Sequence, residues 1–416
     1  MTKEDRMRNM LVFDSAYSHA DLKARELEEF VLARDQGNFF SNIVTIHPFA
    51  GVQFADDLED QELYGSPATY PLDERNIFIE GKRGRFSGLA KFERLNYALS
   101  FGSILLKVFQ AQREYHFRVV RAEDALLNGM IAWFIATFLR VPLIVGVWGN
   151  SNAIRRQTGK TLMPRVFRSM RFEERWEKFV LKRAKVILVG NQDNANAIII
   201  QGIPEARIQI LPVAFNLNPV HITKPEDRES LSTELNALGI SNEFLIACIS
   251  RLEPVKLVDH VLRAAPFIRP HARDYRILLV GEGSQGEELR LLGRDLGIED
   301  KVIFCGNRDQ EWISRLVVAS DVVASPLTGR ALAEAAMGAA AIVAYDIDWQ
   351  GELIQTSKTG ELVPFLDYKA MGASISRFLE DPTYSKNMGN AARTAILNKM
   401  ANIDIASKMN SIYEEL

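Results

Sequence analysis

From residue 243 to residue 354 the chain repeats one unit several times: a short apolar run, a polar turn, then helical spacing. Strand candidates fall at Phe244–Ile249, Tyr275–Val280, 301–304, 321–324 and 341–344, with a last short one at Glu361–Val363. Runs that are apolar throughout suit strands buried on both faces, and strands alternating with helices build parallel sheets. In such sheets ligands sit beyond the carboxyl ends of the strands. The turns after these runs are therefore where chemistry is expected.

The turn after Phe244–Ile249 reads Ser250-Arg251-Leu252-Glu253-Pro254-Val255-Lys256. Apolar spacing at Leu257, Val261, Leu262, Ala265 and Ile268 predicts a helix from Pro254, with proline in the first turn, where its missing N–H is tolerated. Arg251 and Lys256 then flank a helix start whose amides and dipole favour an anion. On one diphosphate, each would contribute about 1.5–3 kcal/mol through charge-assisted hydrogen bonds. The plain reading is that both are solvated charges. After 321–324 comes Ser325-Pro326-Leu327-Thr328-Gly329-Arg330, opening a small-residue helix at 331–336. Its amides suit phosphate or sugar oxygens. Glu334 lies one turn in, an acceptor-only group suited to a ribose diol, or else a solvated helix glutamate.

Gly281-Glu282-Gly283-Ser284-Gln285-Gly286 follows Tyr275–Val280 and spells the dinucleotide fingerprint. That reading needs an acid at the end of the next strand to hold the ribose. Cys305-Gly306-Asn307 stands there instead, while Glu299 and Asp300 precede the strand. The glycines are better read as letting backbone approach a ligand or as making a tight turn. Asp346 and Asp348 follow 341–344, but no third metal ligand is evident, so no metal is expected.

The first half starts with an apolar run at Asn9–Phe13 and a helix through about Arg34. Further strands are expected at 42–46, 117–120, 142–147, Val186–Val189 and 208–211. Residues 50–76 read as an irregular excursion, and 216–229 as a junction with prolines, charges and no apolar period. Domains of 1–218 and 219–397 follow. Trp148, Asn150 and Asp124 lie on turns after the middle strands, and His19 on the turn after the first.

A net charge of −3 gives no reason to expect nucleic acid as a partner. Cys248 and Cys305 sit in apolar runs as reduced core residues. The start Met1-Thr2-Lys3-Glu4-Asp5-Arg6 lacks the apolar core of a secretory leader, and the greasiest stretch, 130–148, is interrupted by Arg140 and Pro142. A cytoplasmic protein is expected. Between Arg155 and Lys185 there are 11 basic residues, interleaved with Met163, Val166, Phe167, Met170, Phe172, Trp176 and Phe179. Such a segment can lie on anionic lipid, making the protein peripheral at the inner face of a membrane, or it can be a core-facing helix with a solvated basic side. The loop 81–86 adds to the basic surface.

The second half resembles the retaining GT-B glycosyltransferases of family 4. The resemblance is carried by residues 250–256, Leu279–Gly283, Lys301–Gly306, Ala333–Ala336, Ile342–Asp346 and Thr359–Pro364, over about 150 residues. The first half matches more loosely at Arg121–Asp124, Val189–Asn191 and Ile208–Pro212. The resemblance implies two doubly wound Rossmann-like domains facing a central cleft, with a nucleotide-sugar donor in the second and an acceptor in the first. It implies that Arg251 and Lys256 hold the diphosphate, joined by Arg330. It places Ser250, Gly281, Gly283, Cys305, Gly306, Asn307, Thr328, Gly329 and Glu334 at the donor, Glu334 on the ribose and the Cys305–Asn307 turn near the base. His19, Asp124, Trp148 and Asn150 fall on the acceptor side, and a last helix, about 398–416, is implied to pack back on the first domain.

Three positions depart from the family. Pro326 stands where the first Glu of a Glu-x7-Glu motif is usual, Trp148 where a histidine is common, and Ser18-His19-Ala20-Asp21 where a glycine pair is usual. The implied activity is transfer of a hexosyl unit from a nucleoside diphosphate sugar to a hydroxyl of a saccharide or lipid-linked acceptor, with retention and without metal or other cofactor. Envelope or exopolysaccharide synthesis in bacteria fits by analogy. The departures keep a non-catalytic binding or scaffold protein in view, and the architecture alone also admits a two-domain nucleotide-sugar epimerase.

Overall fold

The apolar runs become the inner strands of two separate sheets. The computed structural model describes residues 8–24, 27–49, 63–163, 166–212, 217–222, 231–269, 272–401 and 404–416. Parts of the expected excursion (50–62) and junction (216 and 223–229) lie outside the described residues. The chain divides into two units, Met1–Pro212 with Ile405–Leu416, and Val213–Asp404.

In the first unit the strands are β1 (Asn9–Phe13), β2 (Asn42–His47), β3 (Ala68–Pro71), β4 (Asn76–Glu80), β5 (Val119–Ala122), β6 (Leu143–Val147), β7 (Val186–Val189) and β8 (Ile208–Ile210). They form a sheet in the order β3-β4-β2-β1-β5-β6-β7-β8. All pairs are parallel except β3 with β4. The central β1 is buried along its whole length, as a strand covered on both faces must be. Strands β3 and β4 fall where an irregular stretch and its sequel were expected. The half-exposed edge strand β3 ends in Pro71 and lacks a continuous apolar run, so its signal is weak. The first helical stretch is also broken, into His19–Ala24 and Glu28–Leu32, followed by a 3-10 turn at Ala33–Asp35.

In the second unit β9 (Phe244–Ile249), β10 (Tyr275–Val280), β11 (Val302–Gly306), β12 (Val322–Ser325), β13 (Ile342–Tyr345) and β14 (Glu361–Val363) are all parallel. Their order is β11-β10-β9-β12-β13-β14. The chain winds outward one way from β9 to β11 and then crosses to β12 on the other side of β9. That reversal makes a topological switch point between the carboxyl ends of β9 and β12, the place where open sheets of this kind bind ligands.

The second unit begins earlier than the expected residue 219. Leu217 lies in its core with Leu231 and Leu235, and buried His221 pairs with Gln310 at 3.0 Å, so residues 217–222 belong to it by packing. At the other end the helix Pro382–Ala401 stays with this unit through Ala392 and Ile396. Only the helix Ile405–Glu414 packs on the first unit, where it buries Met409, Ile412 and Tyr413. The Tyr413 hydroxyl donates to the Arg34 carbonyl at 2.7 Å and accepts from Arg121 at 2.9 Å.

Candidate active site

The turns after β9, β10 and β12 meet at one edge of the second sheet because their strands are neighbours. Backbone contacts lock the first two together. Leu252 N–H donates to the Glu282 carbonyl, Gln285 N–H to the Leu252 carbonyl and Gly281 N–H to the Gly306 carbonyl, at 2.8–2.9 Å. Ser284 N–H and Oγ donate to the Glu253 carboxylate at 3.0 and 2.7 Å. This close approach explains the glycines. A Cβ on Gly281 would lie 2.1 Å from the Ser250 carbonyl, and one on Gly283 would lie 2.5 Å from that of Leu252. Gly281 also has φ +129, a conformation that side chains disfavour. The glycine pattern therefore seats one turn on another, which is not the role of a dinucleotide fingerprint. Gly281→Ala is expected to lower stability by about 2–4 kcal/mol through backbone strain and overlap. A denaturant midpoint equal to the parent's would count against this packing role.

The turn carrying Lys256 differs from the expected helix start. Pro254–Lys256 is a 3-10 turn, Leu257 is left-handed at φ +54, and the helix begins only at Val258. The kink separates Lys256 from the helix and leaves it half-buried beside the β12 turn. A Cβ on Gly329 would lie 3.6 Å from Lys256 Nζ. Gly329 has φ +72 and no side chain, which keeps that approach open. Burial and the nearby Arg251 charge pull Lys256 down to about 8, against the opposing pull of Asp348. Asp348, itself left-handed at φ +54, thus has its charge at this site, a role its spacing in the sequence did not disclose. Ser250 Oγ is buried and has no hydrogen-bond partner.

Other expected donor groups are engaged within the protein. The Thr328 hydroxyl pairs with Ser325 Oγ. Gln350, anchored by the Tyr345 and Pro326 carbonyls at 3.0 Å each, also accepts from Ser325 at 3.3 Å. Pro326 is thereby fixed as part of a rigid turn, and Gln350 is the supporting residue that sequence reasoning missed. Glu334 is buried rather than solvated, with Arg330 Nε 3.5 Å from its carboxylate. Arg330 is thus paired rather than a loose cation. The Cys305 thiol points into the core and is pushed up to about 11 by burial. Its carbonyl accepts from Arg308 Nε at 3.0 Å, and Asn307 Nδ2 donates to Glu282 at 3.1 Å. A shallow depression lined by Arg273, Asp274, Tyr275 and Lys301 lies at the opposite, amino edge of β10 and β11.

In the first unit each of the expected acceptor-side residues has partners within the protein. Asp124 accepts from Leu126 and Asn128 amides at 2.8 and 3.2 Å, and burial raises it to about 6. Asn150 caps the helix Ser151–Thr158 and donates to Asp193 at 2.8 Å. The Trp148 indole folds over Gly146 and donates to Glu123 at 2.9 Å. The His19 ring stacks on Tyr70 with centroids 3.7 Å apart, and its amide donates to Glu80. Between the carboxyl ends of β1 and β5 lies an ion network that spacing could not predict. Arg34 pairs with Asp14, and with Glu123 at 3.0 Å, while Arg121 pairs with Glu123 at 2.8 Å. Burial opposes charge on Glu123, but Arg121 and Arg34 outweigh it and hold the carboxyl below its ordinary value. Buried His47 has an unpartnered Nδ1 at the end of β2.

The family described as glycosyl transferases group 1 matches residues 232–395, and the glycosyl transferase 4-like domain matches residues 61–214. The chain belongs to the family 4 type of GT-B glycosyltransferases. Alpha-D-kanosaminyltransferase of Streptomyces kanamyceticus is 24% identical to this chain over 198 residues, 46% of this chain and 51% of that protein. The chain thus spans about half the length of that curated relative. D-inositol 3-phosphate glycosyltransferase of Nocardia farcinica is 24% identical over 319 residues, 74% of this chain and 68% of that protein. Among solved structures, Anabaena Alr3699/HepE in complex with UDP-glucose has the same fold, with TM-score 0.71, 19% identity, and coverage of 98% of this chain and 100% of that one.

Proposed function

We propose that this glycosyltransferase moves a hexosyl unit from a nucleoside diphosphate sugar to a hydroxyl of a saccharide or lipid-linked acceptor, with retention. The observation that carries the reading is the Lys256 ammonium beside Gly329, across the switch point between β9 and β12. A diphosphate seated there receives Lys256 and Arg251 from one side and the amides of the β12 turn from the other. The bond from the anomeric carbon to the diphosphate oxygen breaks. The acceptor oxygen forms the new bond on the same face, and its proton passes to the departing phosphate. The two cations stabilise the charge that grows on the leaving group, which is the main electrostatic demand of the step. In this proposal side chains meet that demand without a metal ion. Glu334, with Arg330 on its carboxylate, is assigned to the ribose. The relatives' names point to varied acceptors, and a bacterial envelope or exopolysaccharide role with peripheral attachment to anionic membrane extends the reading. Among the described residues, no helix is long and apolar enough to cross a membrane.

Calorimetric titration with UDP, GDP and ADP, followed by a transfer assay with the matching sugar, tests the proposal. Failure to bind any nucleoside diphosphate would sink it. The depressed Lys256 adds a pH signature. Below about 8 the group is an ammonium and above it an amine, so diphosphate affinity is expected to fall as pH rises through that region. Lys256→Arg should flatten the fall. Protein stability without ligand runs the other way. The unfolded chain binds the extra proton between about 8 and the ordinary 10.5, so this group's contribution to stability rises with pH there.

A further inference from the structure

The helix Glu93–Tyr115 is inverted in polarity over its first half. Its inward positions include Asn96 and Ser100, both buried, while Leu95, Leu99 and Leu106 face outward at 54%, 38% and 66% exposure. The spacing of 95, 99 and 106, with Gly102 between, puts these residues on one stripe. Phe92, at 65%, and Phe86, at 52%, extend it at the amino end. A solvated helix shows the opposite pattern, apolar inward and polar outward.

The inward polar groups have a job. Asn96 Oδ1 accepts from the Arg85 and Phe86 amides at 2.6 and 2.9 Å, and its Nδ2 donates to the Phe86 carbonyl at 2.7 Å. Ser100 Oγ donates to the Lys82 carbonyl. Gly84 packs against Asn96 so closely that a Cβ there would lie 2.5 Å from Nδ2. Polar burial is thus used to fasten the basic loop of Lys82, Arg83 and Arg85 beside the apolar stripe. From 82 to 113 the chain has seven basic residues and one acid, Glu93. Lys91 and Arg94 are exposed at the stripe's edge. At the other end Phe109 meets Phe138 edge to face at 5.2 Å, and Phe134 and Phe138 are themselves 50% and 63% exposed.

We propose that this face seats the protein on an anionic lipid bilayer, with the leucine and phenylalanine side chains in the acyl boundary and the cations at the headgroups. An exposed apolar stripe marks an interaction surface, and a flanking excess of positive charge selects an anionic bilayer over an uncharged one. The placement rests on the peripheral-membrane part of the proposed function and is independent of the transfer chemistry. It also replaces the basic segment 155–185 as the contact. Arg155 there is buried between Glu173 and Glu177, and Trp176 and Phe179 pack on the core.

Co-sedimentation of the full chain with vesicles tests the assignment. Binding is expected to phosphatidylcholine mixed with phosphatidylglycerol, but not to phosphatidylcholine alone, and it should weaken as salt rises. Leu95→Ser/Leu99→Ser/Leu106→Ser and, separately, Lys91→Glu/Arg94→Glu should each lower the partition coefficient by about tenfold or more. Arg171→Glu/Lys178→Glu, on the helix Met170–Leu181, should leave it within about twofold. No parent binding to anionic vesicles overturns both the membrane reading and this face. Parent binding that survives the leucine triple but is lost in the 171/178 variant overturns the face alone. Light scattering that shows a dimer dissociated by the leucine triple would assign the stripe to a second copy and overturn the lipid proposal. Nucleoside diphosphate binding should be unchanged in the leucine triple, so loss of vesicle binding leaves the transfer reading standing.

Discussion

Arg251→Ala/Lys256→Ala is expected to abolish turnover of a nucleotide sugar while leaving the fold intact. Two charge-assisted hydrogen bonds of about 1.5–3 kcal/mol each correspond to a loss of about 10²–10⁴ in kcat/KM. Both side chains sit on a turn that is held by backbone contacts to Glu282 and Gln285, so their removal deletes charge without unseating the turn. Relieving Lys256 of its desolvation should leave the melting temperature equal to or above the parent's. Steady-state kinetics beside a thermal melt separate the two effects. Turnover within about threefold of the parent's would remove the phosphate assignment, because groups touching the leaving group act where charge develops.

Arg155→Met should cause the largest loss of stability in the first unit. Arg155 is 2% exposed, its Nε donates to Glu173 at 2.7 Å and its Nη1 donates to Glu177 at 2.6 Å. Glu173 in turn accepts from the Leu162 and Met163 amides at 3.0 Å each. Removing the arginine leaves two buried carboxylates without their counter-ion, a change that costs about 3–5 kcal/mol when one partner of a buried pair is deleted. Urea unfolding followed by far-UV circular dichroism would read the shift in midpoint. Arg155→Met/Glu173→Gln/Glu177→Met is expected to recover part of the loss, since it removes the uncompensated charge as well. A single variant as stable as the parent would count against this ion cluster as a buried, mutually dependent unit.

The same residue shows why part of the site escaped a reading of the sequence. Arg155 and its neighbours look like a basic face because charge counting assumes that each cation is solvated. Whether a cation is solvated depends on which helix covers it. The glycines after β10 likewise spell a ligand motif, and only the closeness of the Ser250 and Leu252 carbonyls assigns them to packing. Asp124 and Asn150 stand on the expected turns, yet each is engaged with amides or side chains of its own loop. Residues on a turn near a sheet edge have two possible partners, the ligand and the turn, and sequence cannot choose between them.

What the sequence determined alone was local. Apolar runs such as Phe244–Ile249 and Val186–Val189 had to be strands, because their periodicity and burial demand are properties of consecutive residues. The positions of Arg251, Lys256, Thr328 and Gly329 on turns after such runs followed from the same rule. Tertiary structure alone decided the strand order, which puts β9 beside β12 and so brings Lys256 to Gly329. It also decided the left-handed break at Leu257 and the outward leucines of the helix Glu93–Tyr115. The physical reason is that strand pairing and burial are set by contacts between residues far apart in the chain, where no local spacing can register them.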